Sequence, residues 1–95
     1  MGNFSKAERN AVYESALKKW GLEMQAIVAI EEMSEVQKEI CKMLRGKGNR
    51  ENLAEEIADA KIMLEQMSKI YNVNTSVDSW VDYKISVLKR KLEKE

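Results

Sequence analysis

The chain has no histidine and no proline, one cysteine and four glycines in its 95 residues. Each shortage excludes something. Without an imidazole there is no histidine-based acid–base catalysis, no phosphohistidine relay and no His-containing metal site, which also removes the Glu-x-x-His pairs of carboxylate di-iron bundles. The lone Cys41 has no partner for an internal disulfide, and its place in a periodic helical stretch predicts a buried thiol. Neither sign of charge is in excess, with 16 Lys and Arg against 16 Asp and Glu. The basic surplus expected of a nucleic-acid binder is therefore missing, and net charge does not oppose self-association. The longest uncharged apolar-rich run, 24–30, falls far short of the about 20 residues that span a bilayer. With no leader-like opening either, the expectation is a cytoplasmic protein with no membrane partner.

What is present reads as helix. Apolar residues at 44% and charged residues at 34% separate the chain from disordered sequences, and its length gives a single domain, 1–95, with a thin core. Three of the four glycines, Gly21, Gly46 and Gly48, fall where helical periodicity breaks. Ser5 and Glu8 form a capping-box pattern that opens a helix running to Trp20. A second helix is predicted over 22–44, with Leu22, Ala26, Ile30, Met33, Val36, Ile40, Cys41 and Leu44 on one apolar arc. A third follows over 50–71, capped by Asn49, its arc formed by Leu53, Ile57, Ala60, Leu64, Met67 and Tyr71. A fourth is expected over 77–93. The fold class is all-α: four helices on short loops, an antiparallel four-helix bundle completed by oligomerisation.

Two acidic clusters stand out against this frame. Glu32, Glu35 and Glu39 lie within about 60° of one another on the second helix, and Glu56 and Asp59 lie equally close on the third. Both groups sit beside the apolar arcs, where two packed helices would turn them towards each other. Carboxylates on a solvated face cost little; several converging across an interface need raised pKa values or a cation. With oxygen donors only, the fitting cation is hard, Mg²⁺ or Mn²⁺ before Zn²⁺. Solvation alone remains the competing explanation for each cluster taken singly.

The two tetrads, Glu32-Met33-Ser34-Glu35 and Glu56-Ile57-Ala58-Asp59, are separated by twenty residues. In their surroundings, Ala29 to Glu35 and Leu53 to Asp59, they resemble the E-x-x-E and E-x-x-D motif helices of the all-α nucleoside triphosphate pyrophosphohydrolases, the MazG-like and dimeric dUTPase-like superfamily. The resemblance covers about Gly21 to Tyr71. It implies that Glu32, Glu35, Glu56 and Asp59 hold Mg²⁺ against a nucleoside triphosphate, and that Glu35 faces the attacking water. Cleavage would yield a nucleoside monophosphate and pyrophosphate, in nucleotide-pool control or house-cleaning. Gln25 stands where family members often carry a glutamine before the first motif, which implies a base contact. Members of this size assemble as homodimers or homotetramers.

Further candidates stay open. Lys38 and Lys61 either reach phosphate or pair with carboxylates along their helices. Trp20 either stacks on a base or anchors a helix end. Glu39 is a possible addition to the metal shell. Two alternatives compete with the nucleotide hydrolase: a phosphoribosyl-ATP pyrophosphohydrolase of the same superfamily, and a non-catalytic helical oligomerisation or interaction module.

Overall fold

Ser5, itself in extended conformation, accepts from the Glu8 backbone N–H at 3.1 Å while Glu8 Oε1 accepts from the Ser5 N–H at 2.9 Å. This reciprocal cap starts α1, Lys6–Leu44, and the two Ser5 hydrogen bonds hold the Glu8 carboxyl below its ordinary pKa. The computed structural model describes residues 3–94, and the remaining helices are α2, Arg50–Ile70, and α3, Asn74–Lys94. The described residues contain no strand, and none of their helices is long and apolar enough to cross a membrane.

The glycine signals act as read from the sequence, with one refinement. Gly21 does not separate two helices by a loop. It sits inside α1 at φ 84°, ψ 162°, and divides the helix into 6–20 and 22–44 across a kink. That backbone conformation is essentially closed to residues with a Cβ. Two helices end in Schellman motifs. After α1, Gly46 at φ 72° lets the Lys47 N–H reach the Lys42 carbonyl at 2.9 Å. After α2, Asn72 takes the same left-handed conformation, at φ 54°, and the Val73 N–H reaches the Ser68 carbonyl at 2.9 Å. Asn49 caps α2 by accepting from the Glu51 and Asn52 N–H groups. The α3 helix starts at Asn74, three residues before the expected 77, because the Val73 carbonyl already accepts from the Val77 N–H at 2.8 Å.

The 22–44 segment of α1 packs antiparallel to α2, and the break at Gly21 turns 6–20 back so that it runs in the same direction as α2. Near its start α1 meets the end of α2: Arg9 pairs with Glu65 at 3.2 Å, the Tyr13 hydroxyl donates to Glu65 at 3.4 Å, and Glu14 pairs with Lys69 at 3.1 Å. Further along, Glu32 meets Asp59 and Glu56. The buried side chains of this interface are few: Tyr13, Gln25, Ala29 and Glu39 from α1, and Ala60, Met63 and Gln66 from α2.

Two sequence expectations change here. The apolar arc of 22–44 does not face α2. Leu22, Ile30, Met33, Ile40 and Leu44 are exposed, and so is Cys41, contrary to the buried thiol expected of it. The line that faces α2 is instead Gln25, Ala29, Glu32, Val36 and Glu39, at i, i+4, i+7, i+11 and i+14. The apolar arc lies about a quarter-turn round the helix from that line.

The second change concerns α3. None of its residues is buried, and none of its Cα atoms comes within 8 Å of α1. Val77, Trp80, Val81, Ile85, Leu88 and Leu92 all stand open to solvent, with Trp80 packed edge-on to Tyr83 at 5.8 Å. The chain thus packs both segments of α1 on α2 and leaves α3 projecting from them, where the sequence suggests four helices packed together. Its radius of gyration is 16.2 Å, against about 12 Å for a compact domain of this length. Its accessible surface is 8017 Å², about 2,400 Å² more than the scaling law gives for a monomer of this mass.

Candidate functional site

Close approach of α1 and α2 in their middle stretch follows from small side chains. Ala29 and Ala60 are both buried, and alanine there lets two backbones come nearer than leucine would. One turn beyond Ala29, Glu32 leaves α1 on the α2-facing line. Asp59 and Glu56 leave α2 beside and one turn before Ala60. The result is a cluster in which Glu32, Glu56 and Asp59 each bring a carboxylate oxygen within 4.8 Å of the others, all three side chains half-buried.

Crowding shows in the protonation of these groups. Loss of hydration raises the Glu32 pKa, and the charges of Asp59, Glu56 and Glu35 raise it further, with a hydrogen bond to Asp59 in the same direction. Glu56 is raised as well, by desolvation first and then by Asp59, Glu35, Glu55 and Glu39. Like charges that cannot spread apart favour the neutral form, and a bound cation would do the opposite. Oxygen donors alone, without nitrogen or sulfur, suit Mg²⁺ or Mn²⁺.

The other sequence candidates occupy different places. Glu35 lies outside the tight trio but close enough for its charge to act on both Glu32 and Glu56. Lys38 is exposed on α1, and Lys61 is exposed on α2. Gln25 is buried between the helices, seven residues before Glu32 on the same line. Trp20 is 57% exposed on the far side of the Gly21 break, with Lys19 Nζ over its ring at 5.4 Å. The structure therefore joins three of the four tetrad carboxylates, sets the fourth beside them, and leaves Trp20 apart, across the Gly21 break from a stretch of helix that rises about 15 Å to Glu32.

Glu39 has more prominence than its sequence position suggests. It is 6% exposed, and Lys42 Nζ meets its Oε2 at 3.2 Å. The signal for it is the seven-residue spacing from Glu32, two helical turns along one face. A second group escaped the sequence reading. Arg9, Tyr13, Glu65 and Gln66 come together around an open groove between the first half of α1 and the second half of α2. Burial pushes the Tyr13 phenol up, and the Glu65 charge adds to that. Residues drawn from the segment before the Gly21 break and from a helix about fifty residues later share no spacing that a sequence could display.

No protein-family model matches the chain, and no curated protein or solved structure matches it.

Proposed function

We propose that the protein is a Mg²⁺-dependent nucleoside triphosphate pyrophosphohydrolase, converting a (d)NTP and water to the (d)NMP and pyrophosphate. The observation that carries this reading is the meeting of Glu32, Glu56 and Asp59 within 4.8 Å across two helices, with Glu32 and Glu56 held partly towards their neutral forms. An arrangement of this kind costs stability unless something offsets the repulsion. A hard divalent cation offsets it, and a polyphosphate is the kind of anion that such a cation would hold here.

In this reading Glu32, Glu56 and Asp59 supply the oxygen ligands, and Mg²⁺, when bound, neutralises phosphate charge and acidifies a bound water. Glu35 accepts the water proton as the water oxygen bonds to phosphorus and the bridging P–O bond breaks, releasing pyrophosphate. It suits the role because it lies beside the ligand trio. Lys38, exposed one turn beyond Glu35, is available to the outgoing phosphates, whereas Lys61 leaves α2 about 160° round from Asp59 and reaches them only by its length, and Gln25 is a base contact only through the interface that buries it. Trp20 contributes stacking only if another chain brings it near.

Assembly belongs to the same proposal. The outward apolar arc of α1, the unpacked α3 and the surplus of about 2,400 Å² fit a homodimer or homotetramer in which copies complete a four-helix bundle. Obligate homodimer interfaces bury about 2,000 Å² or more in total. The reactants and a reduced thiol suit the cytoplasm. The exposed apolar face of α3 also favours a second reading, a helical interaction module with no chemistry.

Pyrophosphate release from a panel of NTPs and dNTPs, with Mg²⁺, Mn²⁺ or EDTA, separates the two. Metal-dependent release supports the hydrolase, and phosphoribosyl-ATP belongs in the panel because the cluster alone does not distinguish it. Absence of release, together with no divalent-dependent stabilisation, supports the module.

A further inference from the structure

Glu65 is already paired with Arg9 and Tyr13, but its neighbour Gln66 is not satisfied. Gln66 is 6% exposed, and its Oε1 has no hydrogen-bond partner. A buried carbonyl without a partner is destabilising and uncommon. Gln66 lines the groove between α1 and α2, a space of about 430 Å³ whose walls include Phe4, Val12, Tyr13, Lys61 and Ile62.

We propose that this groove binds the nucleobase of a nucleotide, with the Gln66 carboxamide turning to meet the polar edge of the base. Volume, shape and chemistry agree. The space falls within the range of small-molecule sites, mostly apolar with few polar groups. Phe4 and Tyr13 line it with aromatic carbon, and Val12 and Ile62 with aliphatic carbon, which suits a flat ring. The ion pair to Arg9 offsets the Glu65 charge, so the wall does not repel an anionic ligand. Lys61 adds a cation at the groove.

Continuity with the carboxylate cluster identifies which flat ring is meant. Ile62 lines both the groove and a smaller recess of about 210 Å³ that contains Glu32 and Asp59. Gln66 lies seven residues beyond Asp59 on α2, a rise of about 10 Å. A ligand whose ring occupies the groove can thus direct its other end past Ile62 towards the carboxylates. This inference rests on the hydrolase reading and adds to it where the base is held and which side chain meets it.

The test uses the full chain in EDTA, so that the carboxylate cluster plays no part, and nucleoside 5′-monophosphates of adenine, guanine, cytosine, uracil and thymine as probes. Amide chemical shifts are followed by NMR for wild type and Gln66→Met, which keeps length and removes the unsatisfied carbonyl. The expected result is shift changes centred on Val12, Tyr13, Lys61 and the Gln66 side chain with at least one mononucleotide. Binding should be about tenfold weaker in Gln66→Met, while that variant melts no lower than wild type. The proposal is overturned if no mononucleotide moves these signals, if Gln66→Met binds as wild type does, or if the signals respond to dilution and not to nucleotide, which would mean that a second chain fills the groove. Groove binding without turnover in Mg²⁺ would keep this inference and remove the hydrolase. Turnover with shifts elsewhere would do the reverse.

Discussion

Glu32 of α1 and Asp59 of α2 bring carboxylate oxygens within 4.8 Å of each other across the helix interface, and the Asp59 charge is among the causes that raise the Glu32 pKa. Two acids on the inner faces of adjoining helices, with Glu56 joining them, make this interface sensitive to whatever neutralises charge.

Acidity should therefore stabilise the metal-free protein through these groups. Glu32 and Glu56 have pKa values raised above the ordinary 4.5. In the window from the ordinary value up to the raised ones, the folded state holds more protons than the unfolded state. The stability they contribute is full below the unfolded pKa and is lost as pH rises through the folded one. Glu8, lowered by its cap, runs the other way and loses its contribution as pH falls. Thermal midpoints measured in EDTA across this range should respond to pH less in Glu32→Gln/Glu56→Gln than in wild type.

Mg²⁺ should reverse that dependence. The midpoint should rise with Mg²⁺ at pH 7 and the increment should shrink as the carboxylates protonate. Equal midpoints with Mg²⁺ and EDTA at neutral pH would count against the cluster as a metal site.

Removing one charge at a time separates structure from chemistry. Asp59→Asn and Glu35→Gln should each lower turnover by about a hundredfold or more while far-ultraviolet circular dichroism stays as in wild type. Asp59→Asn should also raise the metal-free midpoint, since it relieves Glu32 and Glu56. Wild-type rates in both variants would defeat the site assignment.

The exposed stripe of α3 makes a prediction about assembly. Sedimentation should find wild type as a dimer or tetramer, and Val81→Asp/Leu88→Asp should shift it towards monomer, because a charge placed in a covered apolar face is costly. A wild type that sediments as monomer at high concentration would exclude the bundle completed between copies.

Gly21→Ala should lower the thermal midpoint by about 5 °C or more. No atom lies within 4 Å of the added Cβ, so the cost is in the backbone. If the helix straightened to relieve it, residues 6–20 would swing away from α2 and give up the Arg9–Glu65 and Glu14–Lys69 pairs.

The sequence was informative wherever the cause is local. The Ser5 and Asn49 caps, the disruption at Gly21 and the 45–49 connection all depend on neighbours in the chain, and each appears where its residues predict. Position 74 was missed as the start of α3 because the Schellman turn at Asn72 leaves Val73 already placed to open a helix. Burial was less legible. The apolar arc of 22–44 reads as core by periodicity, yet α2 takes the face of Gln25, Ala29, Glu32, Val36 and Glu39. Small and acidic residues let helices approach and bind, whereas periodicity registers only oil. The meeting of Glu32 with Glu56 and Asp59 was foreseeable from two helices with acids at the core margin. The groove around Gln66 was not, because it exists only after α1 bends.

That bend has a consequence for how the protein can vary. The carboxylates of α1 belong to 22–44 and the α1 wall of the groove belongs to 6–20, with a single side-chain-free residue between them. Substitutions in the first rod can re-cut the shape and polarity offered to a ligand while the second rod keeps its register with α2. A change of taste would then need no change of chemistry.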